Sequence, residues 1–200
     1  GDSLKTNGIV SIENISLNSP TTFNSGTSNI SLSEVLSSTN NDITFIVPSN
    51  LNNSSLAALE LGSGSFTKQG TGKLSLNGIN TYTGSTNIEQ GTLDVLGSLS
   101  PSSALSVSDG AEYSTVTDDI ASITGSGSVI LNNSILTVGA DNSSSEFSGV
   151  ISGTGGFTKL GSGTLTLKGA NTFTGNTKIN AGTLAVSGSL SDSSAILVSG

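Results

Sequence analysis

The block FTKQGTGKLSLNGINTYTGSTNIEQGTLDV, from Phe66 to Val95, returns in altered form as FTKLGSGTLTLKGANTFTGNTKINAGTLAV, from Phe157 to Val186. The offset, 157 − 66 = 91 residues, holds through the whole block without a gap. Glycines and inward-type aliphatics agree at nearly every position. The differences fall mostly at polar positions, such as Lys73/Thr164 and Glu89/Asn180. Self-similarity at a fixed offset decides the architecture before any local pattern does.

Within each copy, apolar residues recur two apart: Leu74 and Leu76, Leu93 and Val95, Leu105 and Val107, then Leu165/Leu167, Leu184/Val186 and Ile196/Val198. Side chains two apart share one face of a strand. Between the pairs stand Gly70, Gly72, Gly78, Asn80, Gly84, Gly91 and Gly97, residues that turn a chain cheaply. The strands are about four residues long, a rhythm that a sandwich or barrel also produces. The ungapped offset instead favours a solenoid, in which like stacks on like. Divided into about four coils of ~23 residues, 91 lies within the range of solenoid repeats. The expected fold is all-β, a parallel β-helix of about nine coils and near 40 Å of stack at ~4.8 Å per layer. It reads as a single β-helical segment: degenerate coils over 1–61, a first clear copy over 62–110, linking coils over 111–152 and a second clear copy over 153–200. Earlier strand signals are Ile9–Ile12, Ile15–Leu17 and Ile43–Val47. TTFNSGTSN after Pro20 and PSNLNNSS after Val47 read as loops. LAALEL (Leu56 to Leu61) looks locally helical, but the offset lays it on FSGVIS (Phe147 to Ser152), so it is read as strand.

Charged residues make up 10% of the chain, against about 25% in ordinary soluble domains. Stacked coils explain this, because like charges about 5 Å apart in successive layers repel. The formal charge is −8, and the six lysines are scattered. That excludes nucleic acid and anionic lipid as partners, since both need clustered Lys or Arg. With no Cys there is no disulfide scaffold and no thiolate metal site. The chain runs from Gly1 to Gly200 and stops inside a repeat copy. This implies a piece of something longer, truncated at both ends, with any targeting signal elsewhere. Cut coils leave pairing-competent edges, so end-to-end self-association or a disordered last coil is expected.

Residues with chemical potential are few. Ser65-Phe66-Thr67-Lys68 spells S-x-x-K, a serine acyl-enzyme motif that normally lies on a helix with S-D-N and K-T-G companions. The companions are absent, and Gly156 replaces the serine in the second copy. Asp118-Asp119 is the one adjacent acid pair, and paired carboxylates are what glycoside hydrolysis requires. With no Arg, His or further acid beside them, they read as solvated turn residues. Asp141 and Glu146 have the oxygens for a weak Ca²⁺ site, but the glycine-rich calcium nonapeptide is missing, and a polar loop is the better reading. Gly62–Ser65 and Gly153–Gly156 complete no phosphate-binding motif. Lys68 and Lys159 are matched strand-end lysines, expected to keep their ammonium in water. Asn80 and Asn171 are matched corner asparagines, expected to bond local backbone. Phe66, Phe157, Tyr82 and Phe173 add aromatic bulk at matched positions. The expectation is no catalytic, cofactor-binding or metal-binding residue, no cofactor and no enzymatic activity.

The FTK, GSGTLTL, GANTFTG and AGTLAV blocks stand together and in order. With them, GTGGFTKLGSGTLTLKGANTFTGNTKINAGTLAVSG resembles the passenger-associated transport repeat of bacterial autotransporters. GSGSVILNN and LTVGADNSSSEFSGVISG are similar to the linker that precedes that repeat. The likeness covers roughly residues 62–200. It implies a right-handed parallel β-helix, secreted or displayed on the surface of a Gram-negative bacterium. Its role would be that of a stalk aiding passenger folding and export. Its partners would be the rest of the passenger and an outer-membrane barrel, both outside this segment. A second reading is an adhesin or receptor ligand acting directly on a host-cell protein or glycan. A third, a carbohydrate-active enzyme on a β-helix, needs three or more acids converging in one groove. Exposed aromatics clustered on one face favour binding, whereas an even polar surface favours the stalk.

Overall fold

Alternation of apolar and polar residues sets the strands, and glycine or asparagine ends them. Lys73–Leu76 and Thr164–Leu167 each bury their two leucines and turn Lys73, Ser75, Thr164 and Thr166 outward. The computed structural model describes residues 3–5, 10–11, 15–191 and 194–199. Within them most strands are of two to four residues, Ile30–Ser38 and Ser54–Glu60 are longer, and every pairing is parallel. Three sheets result, of ten, nine and five strands, and strands adjacent in a sheet come from successive turns of the chain. This is a parallel β-solenoid of about nine turns. Of the Ile9–Ile12 strand signal, Val10–Ser11 is a strand; Ile9 and Ile12 lie outside the described residues.

A full turn visits the ten-stranded sheet, then the nine-stranded sheet, then a third side. From Asp118–Ile120 onward strands form on that third side and make up the five-stranded sheet. In the first repeat copy the third side is closed by irregular backbone and a single bridge, Ile79 to Ser98. The second copy has the equivalent bridge, Ala170 to Ser189.

Coil length differs from the ~23 residues expected. Phe66 faces Thr86, and Thr86 faces Leu105, steps of 20 and 19 residues. Across the molecule the step varies from 16, Glu112 to Ser128, to 24, Ser31 to Ser55. The 91-residue offset is therefore not a whole number of turns. Counting from Phe66–Gln69, four steps of the ten-stranded sheet lead to Ser145–Phe147, and two further sides lead to Gly156–Lys159. Phe66 thus lies in the ten-stranded sheet and Phe157 in the five-stranded one; Leu74 lies in the nine-stranded sheet and Leu165 in the ten-stranded one. The repeat preserves the succession of sides and corners, not the compass direction. Each side contributes the same kind of inward strand, so a whole number of sides suffices for the core to match.

All eight aromatic rings and the inward aliphatics form one buried cluster running from Phe23 to Phe173. Leu74 stacks on Leu93, and Leu165 on Leu184. Each fully buried leucine is worth about 1.5–3 kcal/mol relative to exposure. The Phe66–Tyr82 ring contact, 6.4 Å between centroids, is repeated as Phe157–Phe173 at 6.2 Å. LAALEL lies in the strand Ser54–Glu60. Its helix-like spacing arises because its pairing with Ile30–Ser38 shifts register between Leu32 and Val35. An irregularity of this kind changes the inward step from two residues to three. The two stretches read as loops are in large part structural. Thr21–Asn24 is a strand with Phe23 buried, and within PSNLNNSS Leu51 and Ser54 are buried.

Candidate functional site

Lys68 occupies an inward position between Phe45 and Ile88 of adjacent turns. Its side chain is 0% exposed, which reverses the expectation of a solvated ammonium. Nζ donates to the carbonyl oxygens of Gln69 at 2.9 Å, Gly70 at 2.7 Å and Gln90 at 3.2 Å. Gly70 has φ +74°, and a Cβ there would run into the Val47 carbonyl. The glycine thus turns its own carbonyl toward the ammonium. Burial lowers the Lys68 pKa to about 8. Lys159 repeats the arrangement: it is buried, and it donates to the carbonyls of Leu160 and Gly161, the latter at 2.9 Å with φ +67°. Burial lowers its pKa too, against the pull of Asp141. Both lysines cap a corner from inside, where no sequence rule for lysine would place them. The glycine two residues beyond each was the available signal.

Asn80 and Asn171 are buried and tie three turns together. Asn80 Oδ1 accepts from the Leu59 N–H at 2.9 Å, and Nδ2 donates to the carbonyls of Gly78 and Ser98. Asn171 does the same with Ile151, Gly169 and Ser189. Local backbone bonding, as expected, is part of this; the links to neighbouring turns could not be read from sequence.

The Asp118-Asp119 pair is split. Asp119 faces outward, while Asp118 is 2% exposed. The solvated-turn expectation therefore fails for Asp118, because strand alternation sends one of two adjacent side chains inward. Asp118 Oδ2 accepts from the Tyr113 hydroxyl, and Oδ1 accepts from the N–H groups of Leu99 and Asp119. Burial pushes its pKa up to about 6, against the bonds from Tyr113, Leu99 and Asp119. Burial, with the charge of Asp118, also raises the Tyr113 pKa. Asp118 gives Leu99 the acceptor that Asn80 gives Leu59.

Ser65, partly exposed, precedes the strand Phe66–Gln69 that buries Lys68, so S-x-x-K brings no serine to an amine. Asp141 accepts from the N–H and hydroxyl of Ser143, and Glu146 pairs with Lys168 at 2.7 Å. Among the described residues no cluster of three or more His, Cys, Asp or Glu could hold a metal.

Beside these buried groups, an open groove of about 550 Å³ runs along the outer face of the five-stranded sheet. Gly155 and Gly156 form its floor, with Val116, Ile135 and Leu197 as exposed apolar walls. Lys178 is its one charged lining residue. No sequence signal marked it, because it joins linking coils to the second copy.

Residues 66–95 and 157–186 match the family model of the passenger-associated-transport-repeat. Both copies of the internal repeat are thus similar to it. It is also 37% identical, over 136 residues, to the adhesin BmaC autotransporter of Brucella suis biovar 1 (strain 1330). That match covers 58% of this chain and 4% of the relative's length. No solved structure matches the chain. Repeats, relative and parallel solenoid all fit an autotransporter passenger. They indicate a surface-displayed or secreted protein of Gram-negative bacteria. The buried Lys68/Lys159 and Asn80/Asn171 all belong to the passenger repeats; Asp118 and most of the groove's apolar wall lie between them.

Proposed function

We propose that this passenger segment is a β-helical stalk that aids folding and export of the passenger and performs no chemistry itself. The observation that carries this reading is the rotation of the two repeats by one side of the solenoid. Their inward bonds are duplicated: a lysine on corner carbonyls, an asparagine across three turns, an aromatic pair. Their outward faces look in different directions. A repeat maintained for a binding surface would have to present it on one side, whereas a repeat maintained for corner and core chemistry works on any side. Pairings only 16–24 residues apart also let each turn fold onto the last as chain emerges. The name of the relative, an adhesin, keeps direct binding as the second reading. No aromatic ring is exposed among the described residues, which favours the stalk.

The test is made in the full passenger with its barrel, displayed on cells. The double substitution Asn80→Ala/Asn171→Ala is expected to lower the surface-exposed, protease-resistant passenger several-fold, while the exposed control Thr174→Ala leaves it unchanged. Normal display of a passenger whose purified segment is demonstrably destabilised would sink the reading.

A further inference from the structure

We propose that the outer groove of the five-stranded sheet binds a linear polysaccharide carrying carboxylates, with Lys178 as the anchor for one of them. The inference is independent of the stalk reading, since a stalk that holds a glycan is still a stalk.

Charge is the first argument. The chain is net −8, yet no described acid lines this groove. Of the lysines with described side chains, Lys68 and Lys159 are buried on carbonyls, and Lys73 and Lys168 pair with Asp94 and Glu146. Lys178 alone is exposed with no carboxylate partner, and it stands on the groove wall. With no acid in its lining, the groove gives the Lys178 ammonium a local attraction for a carboxylate, which the net negative charge of the chain opposes only at longer, salt-screened range.

Hydrogen-bonding capacity is the second. Thr117, Asn133, Thr154, Thr158 and Asn176 line the groove, and none of their side chains bonds within the protein. Elsewhere such groups link turn to turn, as Asn132 does to Ser114 and Thr86 to Ser103. Here hydroxyls and amides face outward uncommitted, next to aliphatic walls. That mixture matches pyranose rings, which present hydroxyls at the edge and C–H groups on the face.

Shape is the third. The lining residues climb one side of the stack from Thr117 through Ile135, Gly156 and Asn176 to Leu197, four steps of about 4.8 Å, or roughly 19 Å. The glycine floor lets a flat, extended ligand lie along the axis. A peptide is a poorer occupant, because the backbone of this sheet is paired turn to turn and offers the groove no free edge to extend.

Titration calorimetry of the 200-residue chain tests this with oligogalacturonate, its uncharged methyl ester and polyglutamate. Oligogalacturonate is expected to bind with salt-sensitive affinity, the ester several-fold more weakly, and polyglutamate not at all. Lys178→Ala should weaken oligogalacturonate about fivefold, the worth of one exposed ion pair. Ile135→Glu, at a position 55% exposed, should abolish it without changing the melting temperature. No binding at millimolar oligogalacturonate, binding indifferent to both substitutions, or equal binding of polyglutamate would each overturn the proposal.

Discussion

The two passenger repeats are alike inside and unlike outside. Inside, Lys68 and Lys159 fill the same corner, and Asn80 and Asn171 make the same three bonds with the same partners 91 residues on or one removed. Outside, Lys73 bridges to Asp94 in the first copy, where the second has Thr164 and Ala185. Lys168 bridges to Glu146 in the second, where the first has Asn77 and Ser55. Rotation by one side means that these surfaces never share a direction. The unit of repetition is therefore a corner with its internal polar cap, and the surface is left to vary.

The largest effect should come from the asparagines. Truncation at Asn80 strands the Leu59 N–H in the interior, and truncation at Asn171 strands that of Ile151; the carbonyls of Gly78, Ser98, Gly169 and Ser189 lose one donor each but keep a backbone N–H. A buried group left without its partner costs about 1–3 kcal/mol, so Asn80→Ala and Asn171→Ala, with one such N–H each, should each cost about 2–3 kcal/mol in urea unfolding. Hydrogen exchange at the Leu59 and Ile151 amides should accelerate in the matching variant. Unequal costs, one large and one below about 1 kcal/mol, would break the equivalence of the copies.

The stacked architecture was legible because Leu74/Leu76 and Leu165/Leu167 alternate in identical settings, and strand alternation depends on local sequence alone. The size of a turn was not legible. It is set by how much chain each corner consumes, from Glu112–Ser128 to Ser31–Ser55, and only the pairing partner reveals that. The same limit hid the candidate site. Lysine and aspartate read as surface residues on transfer cost, whereas Lys68 and Asp118 go inward because carbonyls and N–H groups of neighbouring turns meet them there. Those partners come from about 20 residues away or from a glycine corner. The Lys178 groove is assembled from residues 116 to 197, too widely spread for any motif.

Asp118, which lies between the copies, sharpens the contrast, because it serves Leu99 with a group that titrates where Asn80 serves Leu59 with one that does not. Its pKa of about 6 stands above the ordinary value of about 3.9, so the folded chain binds this proton more readily than the unfolded chain. The contribution to stability is full in acid and is lost as pH rises through 6. Between pH 7 and pH 4.5 the protein should gain about 2 kcal/mol relative to Asp118→Asn. Lys68 works in the opposite pH range. Its pKa of about 8 is below the ordinary lysine value of about 10.4, so stability suppressed by the buried ammonium at neutral pH recovers as pH rises above 8. Denaturation at pH 7 and pH 9 should differ by about 1 kcal/mol more than in Lys68→Met. Lys159→Met should flatten the profile in the same sense; no difference from the variant at either lysine would mean that its ammonium reaches water and its corner cap does not form.

The smallest effects should belong to the outward pairs, and their smallness is informative. Lys168 and Glu146 meet at 2.7 Å with side chains 48% and 50% exposed. Exposed pairs of this kind are worth roughly 0–1 kcal/mol because water screens the attraction and both side chains lose freedom. Lys73 and Asp94 meet at 2.6 Å with Asp94 only 10% exposed, so Lys73→Ala should cost slightly more than Lys168→Ala. A double-mutant cycle on each pair, at low and at high salt, would measure this; both couplings should stay below about 1 kcal/mol and shrink with salt. A coupling near that of the asparagine cap would mean that the outer faces also hold the stack together. The freedom of those faces to differ between the rotated repeats would then need another cause.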